Sequence, residues 1–592
     1  MKKIIPLLLL LLPVSVFAQI DTLKLLIVYP EMKDTVSFNR IRISGSTNPE
    51  AELTINSKDV KVYPSGAFGY LYYLEEGRNE IRVESKEDED YQVRVLNIYR
   101  KPGIRSSSET PTSIENIMME PSQDLIIMPG EILNVKFKGS PGGNAKFKFG
   151  KWGKNIPMTE LPPEETGGLR GIYSGSLILK DKGDRKSEQV EFELKGLDRK
   201  RVKVKSEAQV KVYSNDSPMV GVINSDDSIV RVKPGGAIFT SLNSGVKVNI
   251  NGKFGSYFKI RLTNNFHCYV HESNIKLLPE GSFFQSVRVN GISIQQTDDH
   301  YILRLSMSGK CPFNVEENIS QATIVLNIYN AYDGGGWMRY PENDSLIYFI
   351  KPVQKYDDVY SLEFSFNIDQ LWGYKTEYVN GGMLFYIKKP PKFFPEPESV
   401  FKGVKIALDA GHGGEHLGAV GGTGVMEKDI NLNYTFKLAE LLKSEGADVI
   451  ITRNIDTTMF LSPRYKIADS LNADIFVWLH NNSIGLTTDP FEVRGTSTYY
   501  THPHSFEISR ITYKYLKDIG LDPFGNISAS FYITRQTSVL TFLVEGAFLS
   551  NVEDEMLLLD DEFLNDLAEA VFKGLKVYLT KARINISETV GL

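Results

Sequence analysis

Cysteine is nearly absent: Cys268 and Cys311 are the only two in 592 residues. Two thiols cannot build a dense disulfide framework or a cysteine-rich zinc site, so stability must come from buried apolar surface. A basic surplus is lacking too. Lys and Arg number 67 against 73 Asp and Glu, a net charge of −6, which excludes a general nucleic-acid binder. Beyond the first eighteen residues, no apolar run approaches the ~20 residues that span a bilayer as a helix. Glycine (48) and proline (27) are too sparse and scattered for collagen-like or low-complexity sequence. A hydrophobic content of 42% excludes a largely disordered chain. At ~150 residues per domain, the length suggests about four domains.

Residues 1–18, MKKIIPLLLLLLPVSVFA, pair a basic start with a short apolar run and end in Val16-Phe17-Ala18. That pattern predicts a cleaved secretory signal peptide and export across the inner membrane, to the periplasm or cell envelope. No cysteine follows the cleavage point, so no lipid or other membrane anchor is expected after signal cleavage.

Short β runs punctuated by turns follow. In Glu80-Ile81-Arg82-Val83-Glu84 apolar and polar residues alternate, the signature of a strand with one face on a core and one in water. Residues 19–100 are expected to form a β-sandwich module of Ig-like type, and Lys101-Pro102-Gly103 with the Ser/Thr-rich 106–113 a linker. A second β module spans 114–206, with a charged, solvated hairpin from Lys180 to Lys205. In 207–279, Ser256-Tyr-Phe-Lys-Ile-Arg-Leu262 and Cys268-Tyr-Val-His271 before Ser273-Asn-Ile275 resemble a bacterial SH3-like barrel. His267 and His271 share a strand face but lie ~13 Å apart by rise, too far to share an ion without a turn. In 280–392, Gln285-Ser-Val-Arg-Val289, Tyr301-Ile-Leu-Arg-Leu-Ser306, Ala322-Thr-Ile-Val-Leu-Asn-Ile328 and Leu384-Phe-Tyr-Ile387 read as strands, and their pattern weakly resembles the β-sandwich modules that target exported amidases to the wall. Pro-flanked residues 393–403 read as a stiff linker.

At 404 the rhythm changes. Lys405-Ile-Ala-Leu-Asp409 is a short apolar strand, and Ile430, Tyr434, Leu438 and Leu441 then recur at helical spacing. Apolar strands alternating with helices continue to 582, predicting βαβ crossovers and a mostly parallel sheet. The fold class is therefore multidomain, all-β modules followed by an α/β domain.

Five of the eight histidines lie between 412 and 504. His412 and His480 each follow a strand directly, Glu427 starts a helix, and Glu545 closes a third apolar run. Ligands bind open α/β sheets outside the carboxyl ends of the strands, so these residues are expected at one mouth. Two imidazoles and a carboxylate make a zinc site with a position left for water, and the remaining carboxylate is a natural general base.

The segments Leu408-Asp-Ala-Gly-His-Gly-Gly414, Gly418-Ala419, Glu427-Lys-Asp429, Thr452-Arg453 with Asp456, Leu461 with Arg464, His480-Asn-Asn482 and Val544-Glu-Gly-Ala-Phe-Leu-Ser-Asn551 resemble, in order, the zinc-dependent N-acetylmuramoyl-L-alanine amidases (amidase type 3). The resemblance covers 404–582. It implies His412, Glu427 and His480 as ligands of Zn2+, and Glu545 as the catalytic carboxylate. Two departures stand out. Val477-Trp478-Leu479 precedes the second histidine where a serine is common, and Glu545-Gly-Ala-Phe replaces the commoner Glu-x-Gly-Phe. The stretch from His480 to Gly495 is too short for the inhibitory helix some relatives carry.

The implied activity is hydrolysis of the amide joining N-acetylmuramic acid to L-alanine. Alternatives are a zinc peptidoglycan peptidase and a catalytically silent wall-binding scaffold. His416, Asn482 and Arg453 are expected to meet the substrate. Arg453 and Arg464 suit either its carboxylates or a structural ion pair with Asp456 or another acid. His416, His502 and His504 read as surface residues near the groove. Acidic residues outnumber basic ones across 404–582, so attachment to an anionic wall falls to the β modules. The partners this admits are peptidoglycan and an activator protein, not nucleic acid.

Overall fold

The computed structural model describes residues 23–182, 187–214, 219–339 and 346–590. The expected signal peptide lies outside the described residues. The chain is multidomain and largely β until about residue 390, with an α/β domain behind it. Among the described residues no helix is long and apolar enough to cross a membrane.

Residues 25–100 form two facing sheets. One has three strands in the order 25–29, 40–47, 67–73; the other has five. Alternation in the sequence becomes burial in the structure: Ile41, Ile43, Ile55, Phe68, Ile81, Val83, Leu96 and Ile98 fill the space between the sheets.

The next two units share one continuous sheet. Leu125–Ile127 pairs in parallel with Val210–Val212 and antiparallel with Lys253 and Phe254. The strand Arg201–Val212 therefore runs straight through the expected division at 206/207. It is held by its partner Ser187–Lys195, and this pair forms the described part of the charged hairpin. Val210 and Val212 belong to the core of the earlier unit, which is why the strand stays with it.

Residues 287–388 make a second pair of facing sheets around Leu303, Leu305, Leu326, Leu362, Phe364 and Phe385. This unit is welded to the one that follows. Trp372, 1% exposed, sits in the α/β core against Tyr578, and Ile586 enters the sandwich core in return. Residues 393–403 are not a free spacer, because Val400 and Phe401 are buried in the same α/β core.

The α/β unit contains β1 (Lys405–Ala410), α1 (Glu427–Ser444), β2 (Asp448–Ile451), α2 (Leu461–Ser470) and β3 (Ile475–Asn482). After these come β4 (Thr496–Tyr500), α3 (Phe506–Asp518), β5 (Pro523–Ser528), β6 (Leu540–Phe548), α4 (Val552–Leu558) and α5 (Asp561–Val590). The sheet order is β2-β1-β3-β6-β4-β5, and only β4 against β6 is antiparallel. Ile430, Tyr434, Leu438 and Leu442, each four residues apart, give α1 a single buried stripe. With α3 and α5 it covers one face of the sheet, while α2 and residues 533–539 cover the other. Helix α5 continues beyond the expected end at 582 because Ala582 and Ile586 still have cores to enter.

Candidate metal centre

Strands β1, β3 and β6 are neighbours and parallel, so their carboxyl ends open on one edge of the sheet. His412 follows β1, His480 lies near the end of β3, and Glu545 lies directly opposite His480 in the register of β3 with β6. Helix α1 begins at Glu427 and brings its carboxylate to the same place. One ligand atom from each of His412, Glu427 and His480 lies within 4.8 Å of the others. His412 Nε2 is 3.2 Å from Glu427 Oε2, and His480 Nδ1 is 2.9 Å from Glu427 Oε1.

The approach is close enough to forbid a side chain on the neighbouring backbone. A Cβ on Gly411 would lie 2.2 Å from the His480 ring, and one on Gly418 would lie 2.4 Å from Glu427 Oε2. Glu427 is 5% exposed at its side chain and His480 10%, whereas His412 is 32% exposed and faces the opening. Burial alone would raise the Glu427 carboxyl. Hydrogen bonds and charge from His412 and His480 outweigh it and hold the group well below the usual carboxylate range.

Glu427 is fixed from several sides. Ala419 N donates to Oε2 at 2.8 Å, while Asn481 N and Asn431 Nδ2 donate to Oε1 at 3.1 and 3.2 Å. Asn431 also donates to Gly411 O, and its own oxygen accepts from Asn481 Nδ2 at 2.9 Å. Asn431 and Asn481 lie outside the expected site residues; the sequence signal for them is a polar residue one turn after Glu427 on the buried stripe of α1, and another directly after His480.

Glu545 differs from the other three. Its Oε2 is buried and has no hydrogen-bond partner among the described residues. Burial, and then the charge of Glu427, push its carboxyl well above the ordinary value. A carboxylate without a donor beside a His/Glu/His cluster is placed to exchange a proton with a group between them. The donor set fits a divalent cation of the zinc type: two imidazoles, one carboxylate, and a fourth side left open.

Several expected roles change in the structure. Arg453, expected at the substrate, is 3% exposed, and its donors go to the carbonyls of Ala410, Gly411, Lys428 and Ile455. It therefore braces the loop carrying His412 instead of reaching the opening. Of the two readings of Arg464, the structural ion pair is the one observed: it pairs with the fully buried Asp409 at 3.0 Å and also donates to Ala410 O and His412 O. Asp456 is taken by Lys428 at 2.7 Å, not by either arginine. His504 is not a surface residue: it is buried, with Nδ1 3.0 Å from Glu317 of the sandwich. His416 stands on the exposed rim, its ring 6.0 Å from that of Phe460. Asn482 is half-buried and donates to Tyr499 Oη at 3.4 Å. His267 Nδ1 lies 3.0 Å from Asn251 Nδ2, and His271 Nδ1 lies 2.7 Å from Ser273 Oγ.

A cluster of metal-ligating side chains at the carboxyl edge of a doubly covered α/β sheet defines the class: a domain built around a candidate metal centre. Residues 406–577 match the family model described as N-acetylmuramoyl-L-alanine amidase, and through them the chain belongs to that family. It is 32% identical over 182 residues to the uncharacterized protein YqiI of Bacillus subtilis, covering 30% of this chain and 85% of that one. It is 30% identical over 181 residues to the N-acetylmuramoyl-L-alanine amidase LytC of Bacillus subtilis, covering 30% of this chain but 36% of LytC. Against the phage SPP1 endolysin the covered share is 64% of that protein. Among solved structures, the catalytic domain of CwlV from Bacillus (Paenibacillus) polymyxa is 34% identical, with 30% of this chain and 98% of that one covered and a TM-score of 0.29.

Proposed function

We propose that this protein is an exported, zinc-dependent N-acetylmuramoyl-L-alanine amidase that cuts the amide between the lactyl group of N-acetylmuramic acid and L-alanine in peptidoglycan. One observation carries the reading: three ligand atoms converge within 4.8 Å beside a buried carboxylate oxygen that has no donor. His412, Glu427 and His480 would hold the ion, with Ala419 N, Asn431 and Asn481 fixing the orientation of Glu427. Zinc bound there supplies Lewis acidity, lowering the pKa of water from 15.7 to roughly 7 and polarising a carbonyl.

The remaining chemistry belongs to the chain. Glu545 accepts a proton from the attacking water as the new C–O bond forms, a role its buried, donor-free Oε2 suits. It then delivers the proton to the alanine nitrogen as the C–N bond breaks. His416 and Asn482, on the rim, would contact the glycan or stem peptide. Residues 1–18 would direct export to the periplasm or cell envelope, the central β units would hold the enzyme on the wall, and an activator protein is a further partner.

Product analysis tests the reading. An amidase releases L-alanine amino termini and leaves lactyl carboxylates on the glycan. A peptidase would leave the stem attached to muramic acid, and a silent scaffold would release neither product.

A further inference from the structure

The first β module, residues 25–100, lies against the loops that carry the metal centre, although some 300 residues separate the two in sequence. Three loops are touched. Residues 421–424 lead into α1 just before Glu427; a Cβ on Gly422 would lie 3.0 Å from Gly45 O, and one on Gly424 3.2 Å from Leu26 Cδ2. Residues 483–491 leave β3 just after His480 and Asn482. There Leu486 O accepts from Arg42 N at 2.6 Å and its side chain packs on the module's core. The ring of Phe491 stacks on Tyr63 at 6.4 Å. Residues 549–552 leave β6 just after Glu545; Val552 is buried with Tyr63 and Ala67.

Arg42 joins two of these loops. It is 2% exposed, with its guanidinium 5.1 Å from the Tyr29 ring centroid, and Nη1 donates to Ser550 O at 3.3 Å. Ser550 Oγ in turn accepts from Ile484 N at 2.9 Å, Leu549 N donates to Asn482 O at 2.9 Å, and Asn551 Nδ2 donates to Pro490 O at 2.8 Å. The exits of the strands bearing His480 and Glu545 are thus laced together, and Arg42 closes the lacing from outside. The buried guanidinium has one hydrogen-bond acceptor at the seam, Ser550 O, and its Nε has no partner among the described residues, so its place depends on the 549–552 loop holding position.

We infer that the first β module is an integral part of the catalytic unit and that Arg42 is a positioning residue, fixing the loops after His480 and Glu545. This deepens the amidase reading and rests on it. Two full-length variants test it. Arg42→Ala removes the guanidinium, and Gly69→Leu forces the seam apart, since a Cβ at 69 would already lie 3.2 Å from Pro490 Cγ and 3.3 Å from Val552 Cγ2. In both, amide exchange across 483–491 and 549–551 should rise about tenfold or more, with exchange in the module's own core unchanged. On a soluble muramyl peptide kcat should fall about tenfold with KM changing less, bound zinc should stay at one equivalent, and Arg42→Lys should recover part of kcat. Wild-type exchange at both loops in both variants would overturn the inference, as would faster exchange with kcat unaltered. Glu545→Gln run alongside separates the two levels: if it turns over at the wild-type rate, the hydrolase reading fails, whatever Arg42 does.

Discussion

Glu317 offers the sharpest test of how the sandwich and the α/β unit are joined. Its carboxylate is 1% exposed and accepts from Tyr374 Oη at 2.9 Å, from His504 N at 2.8 Å and from His504 Nδ1 at 3.0 Å, with His502 3.7 Å away. Burial would raise its pKa, but the charge and hydrogen bonds of His504, and the charge of His502, bring it down from 4.5 to about 2. At 1.36 kcal/mol per unit, that depression is worth about 3 kcal/mol to the docked state while the imidazoles carry protons. Because the folded value lies below the ordinary one, the stabilisation is present just above pH 4.5 and drains away as pH falls toward 2; burial lowers His502 from its ordinary value, so the part that its charge supplies is also lost as pH rises to neutral. Glu317→Gln keeps the shape, loses the charge, and leaves at least one buried donor unpaired. In peptides covering 313–318 and 502–506, amide exchange should run roughly 100-fold faster than wild type at pH 5, since 1.4 kcal/mol is tenfold. The free-energy difference should fall below half its pH 5 value by pH 3. Equal exchange at pH 5, or a difference undiminished at pH 3, would refute the reasoning.

Glu545→Gln should retain metal, by elemental analysis, while turnover drops about 10²- to 10⁴-fold, the usual worth of a positioned general base. His412→Ala should lose bound metal and turnover together, and chelation of the wild type should be reversed by added zinc. Trp372→Ala, although outside the expected catalytic boundaries, should destabilise the α/β unit by about 3–5 kcal/mol, read as faster exchange in α5. Arg464→Ala should cost a similar 3–5 kcal/mol by removing the cation paired with the buried Asp409 and the donors to Ala410 O and His412 O, visible as loss of protection in β1.

The candidate centre was legible because its chemistry is local in sequence. A strand followed by Gly-His-Gly-Gly, another that ends in His-Asn-Asn, and a helix that opens on glutamate each announce themselves within a few residues. The topology of a parallel sheet then requires their ends to meet. Arg453 and His504 depart from expectation for the opposite reason. What decides whether an arginine meets a ligand or a ring of carbonyls is which loops fold over it, and what buried His504 was Glu317, 187 residues earlier. Strand β5, with two large apolar residues, and α4, only seven residues long, show no period in the sequence; they exist because the sheet edge and Asn551, whose side chain accepts from Glu553 N and Asp554 N, give them partners.

By itself the sequence determined the alternation of strands, the helical stripe of α1 and the identity of the four chemical groups, since periodicity and residue type act over a few positions. Only the tertiary structure decided that Trp372 completes the α/β core, that α5 reaches into the sandwich, and that Arg42 holds the loops beside Glu545. Those contacts join residues hundreds of positions apart, and their stability comes from burial that exists only once separate surfaces have met.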